Sequence, residues 1–163
     1  MAKGMFLDRD GVINREIGRH TTSLAEFEVL PGVPAAIRAA NEAGWKVVVI
    51  TNQSGIDLGL YAHAEVERIH NYLHEMLRSA GAHVSDILYC PHHPSKGRCL
   101  CRKPGSLLLE RGAARYEIEL QRSVMIGDRD RDVEAAQAVG VRGILVAANS
   151  PLEQVFEKEN LLV

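Results

Sequence analysis

Residues 46–55 read Lys46-Val47-Val48-Val49-Ile50-Thr51-Asn52-Gln53-Ser54-Gly55. The first half is β-branched and unbroken by polar side chains, which predicts a strand over Lys46–Ile50 buried on both faces, as in a parallel sheet. The second half switches abruptly to hydroxyls, amides and a glycine. In an open parallel sheet the carboxyl ends of the strands lie along one edge, and ligands bind there.

The same grammar recurs on either side. Met5–Leu7 is a short apolar run that ends at Asp8-Arg9-Asp10-Gly11. Ile87–Tyr89 predicts another strand, Ser123–Ile126 runs into Gly127-Asp128-Arg129-Asp130-Arg131-Asp132, and Gly143–Val146 is the last clear strand. Between them, helical periodicity predicts Val33–Ala43, opened by Pro31-Gly32 and closed by Gly44, then Ala64–Ala80, Ser106–Tyr116 and Asp130–Val139. Alternating strands and helices predict an α/β fold: a three-layer, Rossmann-like parallel sheet with helices on both faces. The 163 residues form one domain on this reading, 1–163, with no repeat, linker or low-complexity tract.

Composition narrows the function classes. The chain is 46% hydrophobic with a net charge of −2, so it can bury a core. It carries no basic block to track a nucleic-acid backbone. No apolar run approaches the roughly 20 residues of a membrane span, and the amino terminus lacks a signal-peptide pattern. The expectation is a cytoplasmic protein that binds neither nucleic acid nor membrane, and a monomer, since no amphipathic stripe is left without a partner.

The polar clusters suit phosphoryl transfer. A carboxylate such as Asp8 can attack phosphorus and split one displacement into two. A second, Asp10, can protonate the leaving oxygen and later deprotonate water. Carboxylates facing a phosphate need a divalent cation, and Asp8 and Asp128 offer the hard oxygens that Mg²⁺ prefers. Thr51 and Lys103 can offset charge on the transferring group, and Gly11 and Gly55 can let the backbone approach an anion. Singly, these residues also fit turns, strand ends and helix starts; the set in one order points to chemistry.

Asp8-x-Asp10-Gly11, Thr51, Lys103 and Gly127-Asp128-x-x-x-Asp132 resemble, in order and spacing, the four motifs of the haloacid dehalogenase superfamily, over nearly the whole chain. The resemblance implies Asp8 as nucleophile, Asp10 as general acid and base, and Thr51 and Lys103 as holders of the phosphoryl group. It implies Mg²⁺ on the Asp8 carboxylate, the Asp10 carbonyl and Asp128, with Asp132 steadying the loop or Lys103. The intervals after Gly11 and Gly55 are too short for a cap domain. The site is then roofed by Asn14–Thr22 and by the segment His92–Cys101.

The three cysteines, Cys90, Cys99 and Cys101, cluster with His92 and His93. Three thiolates and an imidazole make a closed, structural Zn²⁺ site, with either histidine available as the fourth donor. Chelation would order a loop that has no core and aim Arg102 and Lys103. Cys90-Pro91-His92-His93-Pro94 and Cys101-Arg102-Lys103-Pro104, with Asp8–Asn14 and Thr51–Gly55, are similar to the D-glycero-D-manno-heptose-1,7-bisphosphate 7-phosphatase family. That resemblance implies Cys90, His92, Cys99 and Cys101 as the zinc ligands. It also implies substrate contacts from Thr51, Asn52, Gln53, Ser54, Arg102 and Lys103 and from Glu16–Arg19, with Arg102 or Arg19 on the second phosphate of a small phosphorylated sugar. Histidinol-phosphate phosphatases share the zinc loop and are closer in loop length, but they usually have aspartate where this chain has Ser54. A polynucleotide 3′-phosphatase and a non-catalytic zinc-stabilised binding module are the remaining alternatives.

Overall fold

Val47 and Val49 are buried against one face of the sheet, while Val48 and Ile50 are buried against the other. This is why the strand reads as continuously apolar: each neighbour in sequence serves a different core. The computed structural model describes residues 1–163. The chain runs β1 (Ala2–Leu7), α1 (Val33–Glu42), β2 (Trp45–Asn52), α2 (His63–Ser79), β3 (Asp86–Cys90), α3 (Leu107–Tyr116), β4 (Ile118–Gly127), α4 (Asp130–Gln137), β5 (Arg142–Leu145) and α5 (Leu152–Lys158). All strand pairs are parallel, in the order β3-β2-β1-β4-β5. The three layers of the sequence reading are present. The larger core packs α1, α2 and α5 on one face, through residues such as Ile37, Leu73 and Phe156. The smaller packs α3 and α4 on the other, through Leu108, Leu109, Ala135 and Ala136.

After β3 the chain crosses back to the far side of β1. The direction of winding therefore reverses between β1 and β4, and the crevice of a doubly wound sheet opens there, at the carboxyl ends. Asp8 follows β1, Thr51 and Asn52 close β2, and Asp128 follows β4, so the topology gathers three of the four polar clusters.

Two elements depart from the sequence reading. Strand β4 starts at Ile118 instead of Ser123, because its first half is polar and carries an irregularity in register between Lys3 and Met5. Ser123 bridges that irregularity: its hydroxyl accepts from the Gly4 amide at 2.9 Å and donates to the Glu119 carbonyl at 2.7 Å. A period-two pattern cannot register through such a break.

Helix α5 was not expected at all. Its seven residues are too few for a clear helical period, yet Leu152, Val155 and Phe156 are buried. Beyond it, the Leu161 carbonyl accepts from the Trp45 indole at 2.7 Å. Phe156→Ala is expected to lower stability by about 3–5 kcal/mol, measured by urea denaturation. An unchanged midpoint would mean that α5 is an appendage.

Candidate active site

Lys103 arrives from the loop after β3 and runs beneath the carboxyl ends of the strands, 2% exposed. Its ammonium contacts Asp8 Oδ1 at 2.9 Å, Asp132 Oδ1 at 2.6 Å and the Ile50 carbonyl at 2.7 Å. Burial disfavours the charge, but the two carboxylates outweigh it and raise the lysine pKa above its ordinary value. Asn52 fixes the lysine's backbone, accepting from the Lys103 amide at 3.0 Å and donating to the Lys103 carbonyl at 3.3 Å.

Asp8 lies at the floor of a cavity of about 390 Å³ with no apolar lining residue. Burial pushes its carboxyl up to about 7; Lys103 opposes the shift, and the nearby Asp132 and Asp10 charges add to it. Asp10 behaves oppositely. Burial works to raise it, but the Arg9 guanidinium, with hydrogen bonds from Asn14 and Gln53, holds it below the usual carboxylate range. Asn14 Nδ2 donates to Asp10 Oδ1 at 2.9 Å, and Gln53 Nε2 donates to Asp10 Oδ2 at 3.0 Å.

The carboxylates of Asp8, Asp128 and Asp132 lie within 4.8 Å of one another. One ammonium does not neutralise three such groups, and the excess of hard anionic oxygen fits a divalent cation. The roles divide by what each oxygen already binds. Asp132 is fully buried, with Oδ1 on Lys103 and Oδ2 accepting from the Arg129 amide at 3.1 Å. Asp128 has only a distant guanidinium, Arg129 Nε at 4.0 Å, and lines the cavity. Gly11, at a φ of 90°, leaves open the space that the Asp128 carboxylate occupies; any Cβ there would collide with it.

Thr51 is wholly buried and does not line the cavity. Its hydroxyl accepts from Gln53 Nε2 at 2.9 Å, so it touches the site through that amide. Gly55 is a correction: the space beside its Cα is filled by the Tyr61 ring, so it serves packing and not the approach of an anion. Glu16, Arg19, Asn52, Gln53, Ser54 and Arg102 all line the cavity. Arg19 is also tied to Glu26 Oε2 at 2.8 Å.

Among residues the sequence reading passed over, His20 reaches Ser54 Oγ at 3.3 Å, and Arg131 lines the cavity from the first turn of α4. In sequence, Arg131 belongs to the Gly127–Asp132 cluster, where alternating charges in a helix's first turn look like a solvated face. Of the expected roof, Glu16, Gly18, Arg19, His20 and Thr21 line the cavity on the Asn14–Thr22 segment, while His93 alone does so from His92–Cys101, with Arg102 just beyond it.

Beside that roof, the sulfurs of Cys90, Cys99 and Cys101 and His92 Nδ1 form a group within 4.8 Å. Cys90 Sγ lies 3.7 Å from Cys99 Sγ, 3.4 Å from His92 Nδ1 and 3.0 Å from Cys101 Sγ, and His92 Nδ1 lies 3.2 Å from Cys101 Sγ. A tetrahedral zinc with bonds of about 2.0–2.3 Å requires donor separations of roughly 3.5–3.8 Å, so Cys101 would move outward by a few tenths of an ångström to join the ion. His93 turns away and pairs with Ser95 Oγ at 2.7 Å, so His92 is the imidazole of this cluster.

A parallel five-stranded sheet with Asp8, Asp10, Lys103 and Asp128 at its switch point defines a hydrolase core of the haloacid dehalogenase type. The HAD-hydrolase-like family model matches residues 100–159. The chain is 42% identical to D-glycero-beta-D-manno-heptose-1,7-bisphosphate 7-phosphatase of Pseudomonas putida over 96% of this chain and 88% of that one. It is 30% identical to the D-glycero-alpha-D-manno-heptose-1,7-bisphosphate 7-phosphatase of Photorhabdus laumondii, over 95% and 88%. The crystal structure of D,D-heptose 1,7-bisphosphate phosphatase from B. bronchiseptica, complexed with magnesium and phosphate, superimposes with a TM-score of 0.84 at 36% identity, covering 96% of this chain and 86% of that one. The chain belongs to the D-glycero-D-manno-heptose-1,7-bisphosphate 7-phosphatase family, within the HAD-like hydrolases.

A proton on Asp8 competes with a cation for the same oxygens. Mg²⁺ affinity is therefore expected to fall as pH drops through about 7, approaching about tenfold per pH unit below it, by titration calorimetry. A flat affinity from acid to alkaline pH would exclude Asp8 as a ligand.

Proposed function

We propose that the protein hydrolyses the C7 phosphate of D-glycero-D-manno-heptose 1,7-bisphosphate, releasing heptose 1-phosphate and inorganic phosphate. The observation that carries the substrate is a pair of guanidiniums. Arg102 Nη1 and Arg131 Nε are buried without a hydrogen-bond partner, and both residues line the cavity whose floor is Asp8. Burial, and then the Arg131 charge, depresses Arg102 below the usual arginine value. Two cations lining one cavity call for a dianion, and a bisphosphate brings one beyond the group being transferred. Histidinol phosphate would bring an ammonium toward the same arginines, and like charges repel.

Asp8 attacks phosphorus as the bond to the C7 oxygen breaks. The electron pair leaves on that oxygen, which takes the proton of Asp10 in its neutral form, the form that Arg9 disfavours. A water then gives its proton to Asp10 and attacks the aspartyl phosphate, and the Asp8 carboxylate leaves. Lys103 stays charged throughout, holding Asp8 and balancing the transferring group from below; Thr51 acts through Gln53. Asp8, the Asp10 carbonyl and Asp128 would hold Mg²⁺, which supplies charge neutralisation of the phosphoryl oxygens.

Cys90, His92, Cys99 and Cys101 would hold a structural Zn²⁺ that sets the direction of Arg102, the next residue. Thiols kept free for such a metal suit a reducing cytoplasm. The catalytic set comes from one chain, so a monomer within residues 1–163 suffices.

Phosphate release with Mg²⁺ is expected to favour the heptose bisphosphate over histidinol phosphate by about a hundredfold in kcat/KM, roughly 2.7 kcal/mol. The reverse preference would reassign the substrate and keep the chemistry. Arg131→Ala and Arg102→Ala are each expected to cost about 10–100-fold on the bisphosphate and little on a monophosphate ester; equal losses on both would remove the second-phosphate role. Cys101→Ser is expected to lose the bound zinc, about one per chain by elemental analysis, and to lower activity on the bisphosphate. Full activity in zinc-free protein would uncouple the loop from the site.

A further inference from the structure

Arg9 lies between the two aspartates of the first motif and is completely buried. A buried guanidinium needs a carboxylate and partners for its remaining donors. Its Nη2 donates to Asp10 Oδ1 at 3.0 Å, and its Nη1 lies 3.2 Å from His70 Nε2, while its Nε is buried without a partner. The Phe27 ring centroid is 5.5 Å from the guanidinium carbon, close enough for a cation–π contact. His70 is buried on α2 and neutral, its pKa lowered to about 3 by burial and then by the Arg9 charge. Its Nε2 therefore carries the lone pair that accepts from Arg9, and the ring proton sits on Nδ1. Tyr89 packs edge-on against the imidazole, and the Tyr89 hydroxyl lies 2.8 Å from His63 Nδ1.

The arginine is thus held by His70 of α2, by Phe27 and by a single carboxylate. In the reading above, that carboxylate gives the leaving group its proton. Asn14 and Gln53 hold its oxygens too, and Gln53 is itself held by Tyr61 at 2.7 Å, but Arg9 is the only cation on it.

We propose that Arg9, locked by His70, is a positioning residue for proton transfer: it aims the Asp10 carboxylate at the leaving oxygen and later at the attacking water. This rests on the phosphatase reading above. General acid catalysis matters in proportion to how much the leaving oxygen needs a proton. An alkoxide needs one; 2,4-dinitrophenolate does not. A misaimed Asp10 should therefore harm the two classes of ester unequally, whereas a damaged core or a misplaced Asp8 harms both.

The test is Arg9→Lys, which keeps the charge but cannot reach Asp10 and His70 together. It is assayed with an alkyl phosphate and with 2,4-dinitrophenyl phosphate in the presence of Mg²⁺. The expected result is a loss of about 10²–10³-fold in kcat/KM on the alkyl ester and less than about tenfold on the dinitrophenyl ester. The latter should show a burst of about one phenolate per chain and then slow turnover, because hydrolysis of the aspartyl phosphate still needs Asp10 as base. Equal losses on the two esters, or no loss on either, overturn the proposal. If R9K does not fold, judged by circular dichroism, His70→Gln is read in the same way: it leaves the Arg9–Asp10 pair and removes the lock, and the same asymmetry is expected at smaller size. Wild type inactive on both esters, or Asp8→Asn as active as wild type, overturns the phosphatase reading instead.

Discussion

Everything in the site hangs on a buried ammonium between two carboxylates. Lys103 cannot be desolvated alone, and neither can Asp8 or Asp132. Together they form a cluster in which each charge is tolerated because of the others, and breaking one pair would leave an uncompensated charge in the core. The cluster also joins distant pieces of chain: Asp8 follows β1, Asp132 lies in the first turn of α4, and the Ile50 carbonyl belongs to β2. The fold's parallel strands and the site's chemistry are thus secured by the same three side chains. The surplus negative charge that remains is what makes room for a cation.

Around that centre the cavity brings both signs of charge together: Asp8, Asp10, Glu16 and Asp128 line it along with Arg19, Arg102, Arg129 and Arg131. Carboxylates suit a metal ion, and guanidiniums draw in and orient an anionic ligand. The complete absence of apolar lining matches a ligand made of hydroxyls and phosphates. Because loops alone roof the cavity, a zinc ion on Cys90, His92, Cys99 and Cys101 would do work that a cap domain does elsewhere, giving a short polar segment enough order to present an arginine.

The sheet was legible in sequence because buried parallel strands leave a strong signal: Val47–Ile50 could hardly be anything else. The first half of β4 was illegible because its polar residues and the Ser123 bridge hide the period, and α5 because seven residues do not establish one. In the site, Asp8, Asp10, Lys103 and Asp128 were legible through spacing and order. The division of labour was not. Whether Asp132 faces metal or lysine, whether His92 or His93 joins the sulfurs, and whether Gly55 faces an anion or a tyrosine all depend on which oxygen or ring is already occupied, a property of three-dimensional neighbours. Arg9 escaped for a related reason. A residue flanked by two motif aspartates reads as a spacer until its burial is known.

The docking of the carboxyl-terminal segment has an optical corollary. The chain has a single tryptophan, and its indole N–H is spent on the Leu161 carbonyl, with the Lys3 ammonium 4.4 Å from the ring centroid. Intrinsic fluorescence therefore watches the end of the sheet opposite the catalytic crevice, where both chain termini meet β2. Its emission tracks the seating of the tail and is blind to occupancy of the active site, so a spectroscopist following ligand binding would need an added chromophore.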